Sequence, residues 1–202
     1  MKLLTSKIFW GLMLVLGGVI LLLEQMGILE GSEVFWMLVS VVAGLLFLIA
    51  LATNHSAWWA VIPGVSLLAL ALSIGLGIFT AISGEVIGAI LLGGIGLSFI
   101  VVYVIQRIHW WAIIPGGVLL TLAVVAGMEG SDPGPVSGAI FFTGLGLTFA
   151  LVALLPNTVG QMMWAWIPAG ILLLLAALIL AGIESLFNYI WPVVVIILGF
   201  YF

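Results

Sequence analysis

Hydrophobic positions in this chain run in blocks of about twenty, and polar positions fall in short clusters between them. The clusters are "EGSE" (30–33), "TNHS" (53–56), "SGE" (83–85), "QRIH" (106–109), "EGSDPGP" (129–135), "PNTVGQ" (156–161) and "GIES" (182–185). Cutting there predicts eight apolar helices over about 8–28, 34–52, 57–79, 85–106, 109–128, 136–155, 163–183 and 186–202. A helix of roughly 20 apolar residues crosses a bilayer core of about 30 Å. The breaks are short, so consecutive helices are expected to be antiparallel neighbours. The runs are continuous rather than alternating, which excludes a β-barrel.

The blocks also repeat. "SAWWAVIPG" (56–64), "HWWAIIPGG" (109–117) and "MMWAWIPAG" (162–170) place Pro63, Pro115 and Pro168 at near-constant spacing. "GAILLGGIGLSF" (88–99) returns as "GAIFFTGLGLTF" (138–149). The spacing implies a repeat of about 52 residues in four tandem two-helix units, 1–54, 55–107, 108–160 and 161–202, within one membrane domain. With an even number of spans per unit, successive units share one orientation, unlike the inverted repeats of many transporters.

Composition agrees with this pattern. The 202 residues are 66% hydrophobic and 5% charged, against about 25% charged in soluble domains. The expected class is an all-α integral membrane protein. The N-terminal run after Lys2 and Lys7 resembles a signal peptide, but no small-x-small cleavage site follows and the run is the first member of the repeat. Lys2, Lys7, Arg107 and both histidines fall on one side of the eight-span scheme. Glu24, Glu30, Glu33, Glu85, Glu129, Asp132 and Glu184 fall on the other. The positive-inside rule then places both termini in the cytoplasm.

All nine tryptophans (Trp10, Trp36, Trp58, Trp59, Trp110, Trp111, Trp164, Trp166 and Trp191) are expected at helix beginnings near a water interface. The indole suits that boundary, being apolar with one N–H donor. Pro63, Pro115 and Pro168 follow as helix-entry residues, where a missing N–H costs little. The other reading, rings stacked on a pigment, a quinone or a lipid headgroup, sits less well with tandem recurrence. Gly84, Gly88 and Gly96, and again Gly134, Gly138 and Gly146, are read as helix-packing faces, because small residues let membrane helices approach. Contact within the chain is favoured over a groove for another protein's helix, and the four hairpins are expected to form a bundle-like domain.

Candidate chemistry is sparse. The middle of every predicted span lacks an ionisable residue, and membrane catalysis or ion coupling usually needs one. Deep polar groups are hydroxyls such as Ser40, Ser66, Ser73, Ser98, Thr121, Thr143 and Thr148, whose ordinary role is to bond a carbonyl one turn back. His55 and His109 sit at loop edges, a poor place for haem ligands. Glu129 and Asp132 are too few for a calcium site. There is no cysteine, catalytic triad, phosphate loop or basic nucleic-acid surface. No catalytic, metal or cofactor-binding residue, and no cofactor, is expected.

"IFWGLMLVLGGVILLLEQMGIL" (8–29), "FWMLVSVVAGLLFLIAL" (35–51) and "YIWPVVVIILGFYF" (189–202) resemble the LiaI/LiaF-like transmembrane region, also catalogued as DUF5668. The shared pattern is an aromatic-Trp-Gly entry, a glycine-containing apolar run, then a Trp-led second span ending in a glycine step. The resemblance implies an envelope-associated bacterial membrane protein and brings no catalytic residues. The leading expectation is a non-enzymatic accessory subunit, scaffold or regulator, whose partners are the lipid bilayer and other membrane subunits. The alternatives are a transporter or channel-like protein for a small neutral or apolar solute, and a pigment- or quinone-binding subunit.

Overall fold

The computed structural model describes residues 32–54, 56–128, 134–155 and 162–182, with isolated helical positions between 15 and 26 and between 192 and 199. Among the described residues there is no strand. Six long helices run in order: α1 (Ser32–Thr53), α2 (Val61–Phe79), α3 (Gly84–Ile105), α4 (Ile113–Met128), α5 (Pro135–Leu154) and α6 (Trp166–Leu180). They fall on the second to seventh predicted spans. The predicted first and eighth spans lie largely outside the described residues. Single-turn 3-10 helices, Trp58–Ala60, Trp110–Ala112 and Met163–Ala165, lead into α2, α4 and α6. Counted with these turns, the six segments are 18 to 22 residues long, enough to cross a bilayer.

Local chemistry sets several boundaries. Pro135 opens α5 at its first position, where a proline loses no intrahelical bond. Gly182, with φ of 70°, follows the end of α6 and donates its N–H to the Ile179 carbonyl at 3.0 Å. Left-handed glycine is the usual residue for such an ending.

The helices form a row. Each packs extensively only on its neighbours in sequence, and the Trp58–Ala60 turn also touches α3. Among the described residues the six helices therefore lie side by side, and the reason lies in residue spacing. On α3, Gly94 faces α2 while Gly96 faces α4. Two residues apart on a helix means about 200° of rotation, so the two contacts lie on nearly opposite sides. On α5, Gly144 faces α4 and Gly146 faces α6 in the same way. Short loops make neighbours of consecutive helices, and nearly opposite contact faces set the described helices out in a row.

Between the contacts, broad apolar surface is left bare. Leu97, Val104, Leu147 and Leu174 are each more than half exposed. In water such surface would drive association; in hydrocarbon it is the ordinary lipid-facing side. The fold is that of an all-α membrane protein.

Candidate functional site

The three tryptophan turns share one construction. In each, an alanine is fully buried (Ala60, Ala112 and Ala165, all 0% exposed). Its N–H donates to the carbonyl three residues back at 2.9 to 3.0 Å. Pro63, Pro115 and Pro168 are each the third residue of the α-helix that follows. At that position the missing N–H leaves no bond broken within the α-helix. Trp59, Trp111 and Trp164 meet Phe47, Phe99 and Phe149 of the preceding helix edge-on. Centroid separations are 6.0, 6.3 and 6.2 Å and interplanar angles 75°, 75° and 73°. Edge-to-face pairs use the positive ring edge against the negative face and stabilise by about 0.5–1.5 kcal/mol beyond area burial. Phe99 and Phe149 close the two matching segments 88–99 and 138–149, and Phe47 holds the same place one unit earlier; that recurrence is the signal that would find them.

The other tryptophan of the first two turns reaches forward to the next turn. Trp58 stacks on His109 with centroids 3.8 Å apart, and Trp110 packs against the cluster that holds Met162 and Val152. His109 also lies 3.0 Å from Gln106 through Nε2, and its Nδ1 accepts from Trp111 Nε1 at 3.4 Å. Arg107 sits over the Tyr103 ring at 4.8 Å and donates to its hydroxyl at 3.2 Å. Trp36 pairs edge-on with Phe35 near the start of α1, and Trp166 is the half-exposed first residue of α6. Trp10, Trp191, His55, Glu129 and Asp132 lie outside the described residues.

Among the described residues the predicted glycines differ in how closely they are approached. A Cβ built on Gly84, Gly88 or Gly134 meets no described atom within 4 Å, and one on Gly138 meets only Ile179 at 3.9 Å. Gly96 and Gly146 are the tight members. On Gly96 a Cβ would fall 3.0 Å from the Gly116 carbonyl oxygen; on Gly146 it would fall 2.7 Å from Leu173 Cγ. The geometry of a helix accounts for the split. Eight residues amount to about 80° of residual rotation and twelve to about 120°, so Gly84, Gly88 and Gly96 do not share a face.

The contacts that matter form two kinds of seam. Between α1 and α2, a Cβ on Gly44 would fall 2.9 Å from the Gly64 carbonyl oxygen, and one on Gly64 would fall 2.8 Å from Leu48 Cδ2. Between α3 and α4, Gly116 receives Ile100 at 2.7 Å just as Gly64 receives Leu48. Backbone therefore lies on backbone, each glycine admitting a bulky side chain of the other helix. The α4–α5 seam is reciprocal in another way. Thr121 fills the space over Gly144, and Thr148 fills the space over Gly117; each added Cβ would stand 2.9 Å from the threonine Cβ. Each threonine hydroxyl donates to the glycine carbonyl one turn back on its own helix, Thr121 to Gly117 and Thr148 to Gly144, both at 2.8 Å. Ser98 does the same toward Ile95 at 2.6 Å, and Ser73 bridges to Ile87 across the α2–α3 loop at 3.4 Å. Among the described residues the buried Ser66 Oγ has no partner.

Among the described residues no group of three or more histidine, cysteine, aspartate or glutamate side chains could hold a metal ion. Comparison with protein-family models, curated proteins and solved structures finds no match for this chain.

Proposed function

We propose that this chain is a non-enzymatic scaffold or accessory subunit that docks other membrane proteins on its helical faces. One observation carries the reading. Among the described residues the helices meet along narrow glycine and glycine–threonine seams and at the tryptophan turns, so much of their apolar surface is open to lipid or to partner helices. The middle of the predicted spans also has no ionisable group to run chemistry or couple an ion. In this reading the chain is eight spans in four tandem hairpins, with both termini cytoplasmic in a bacterial inner or plasma membrane. The resemblance to LiaI/LiaF-like segments makes it an envelope-associated protein. The tryptophan turns are its interface anchors. Their rings already have protein partners in Phe47, Phe99, Phe149 and His109, which speaks against a pigment or quinone sandwiched between them.

The test is capture of the tagged protein from native membranes in mild detergent, with mass spectrometry and an absorption spectrum on the same eluate. A colourless complex with a stoichiometric membrane partner is expected. A protein that purifies alone, with single cysteines along α3 and α5 reactive to aqueous reagents at mid-membrane, would replace the scaffold with a transport path.

A further inference from the structure

The α2–α3 and α3–α4 seams have sequence siblings one unit later, at α4–α5 and α5–α6, and the residues at them differ. Gly94 of α3 lies directly against Ala69 of α2, and a Cβ on Gly93 would be 3.7 Å from Ala123 of α4. Farther along, Gly127 closes to 3.4 Å on Ala89. The corresponding positions one unit later carry Thr121 for Ala69, Thr143 for Gly93 and Leu180 for Gly127. Where these larger residues stand, an apolar groove of about 260 Å³ opens among α4, α5 and α6, lined by Thr121, Ala139, Thr143, Gly144, Leu147 and Leu180. From Ala139 to Leu147 it extends about 12 Å along α5, from near the middle of that helix toward its start.

The two threonines are not equivalent. Thr121 gives its hydroxyl proton to the Gly117 carbonyl. Thr143 makes no such bond among the described residues, although the Ala139 carbonyl stands one turn back. A hydroxyl left without a partner in hydrocarbon is destabilising, and valine would have supplied the same bulk without that penalty. No charged residue lines the groove, so carboxylates, ammonium groups and phosphates are poor occupants.

We infer that the groove binds a molecule dissolved in the lipid phase: an apolar chain or ring bearing one carbonyl or ether oxygen. It enters sideways between α4 and α6. The oxygen accepts from Thr143 Oγ1, and the apolar part lies along Ala139, Leu147 and Leu180. This site is separate from the tryptophan turns and does not depend on the scaffold reading.

The test uses the full chain in lipid nanodiscs and a 4-alkylbenzophenone, whose ketone is both the acceptor and the photoreactive centre. Insertion sites are mapped by peptide mass spectrometry. Labelling is expected to concentrate within 139–147 and at 180. An excess of an aliphatic ketone should suppress it, and a matched alkane should not. Thr143→Val, which preserves shape, should reduce it at least fivefold, and Thr143→Ser should retain it. Labelling spread evenly over lipid-facing residues would overturn the inference. So would groove labelling that ignores Thr143→Val, since ordinary acyl chains would then suffice to fill the space. Labelling present in nanodiscs but blocked in native membranes would make the groove a seat for another helix and overturn it as well.

Discussion

The α1–α2 seam and the α4–α5 seam both rest on glycine, but they use it differently. In the first, two backbones meet, and Gly64 admits Leu48 between them. In the second, the glycines admit threonine side chains, and the threonines return hydrogen bonds to the glycine carbonyls. The difference shows that a glycine here is defined by what stands opposite it. Volume is matched pair by pair across each seam. Opposite Leu48 stands Gly64, and opposite Ile100 stands Gly116. One unit later the bulky residue becomes Ala150, and the proline is followed by Ala169 in place of glycine; Ala169 is fully buried.

The comparison can be strained from its strongest point outward. Gly96→Leu places a side chain against the main chain of α4, where a Cβ already falls 3.0 Å from both the Gly116 oxygen and the Leu120 nitrogen. Main chain cannot rotate away, so a loss of about 3 kcal/mol or more is expected, read as a lowered unfolding midpoint in detergent. Gly144→Ala meets the Thr121 side chain instead, including its Cβ at 2.9 Å, so helix α4 must give by a few tenths of an ångström there and the bond from Thr121 to Gly117 is disturbed. A smaller loss of about 1–2 kcal/mol is expected, and Thr121→Ala in the same background should recover part of it. Equal losses for the two variants would erase the distinction between the seams.

Smaller effects sharpen the same picture. Phe99→Leu removes one edge-to-face partner of Trp111 and should cost about 0.5–1.5 kcal/mol, with a shift in tryptophan emission. Gly88→Ala faces no described neighbour within 4 Å and should change stability by less than about 0.5 kcal/mol. A large loss there would restore the predicted Gly84–Gly88–Gly96 face.

Much of this was legible in the chain. The polar clusters located the six described helices to within a few residues, because hydrocarbon length and backbone satisfaction leave few other solutions. The spacing of Pro63, Pro115 and Pro168 located the three entry turns. Which glycines make the tight contacts was not legible. A G-x-x-x-G spacing shows that two glycines are near each other on a helix, not which side its neighbour occupies. The neighbour's own residues decide that, and Gly64 and Gly116 stand out only when read against Leu48 and Ile100. The row was hidden for a related reason. Short loops specify adjacency, whereas the near-opposite faces of Gly94 and Gly96 specify that the described helices lie side by side.

The pairwise matching is tested most directly at the third copy of the seam, by a double-mutant cycle on Ala150 and Ala169 with unfolding midpoints as the readout. Ala150→Leu alone should destabilise by about 1–3 kcal/mol through overpacking, and Ala169→Gly alone by a smaller amount. Together they rebuild the Leu48–Gly64 arrangement, so the double variant should be more stable than Ala150→Leu, with a coupling of about 1 kcal/mol or more. Additive losses would mean that Ala150 and Ala169 do not face each other, and would contradict the matched-seam account.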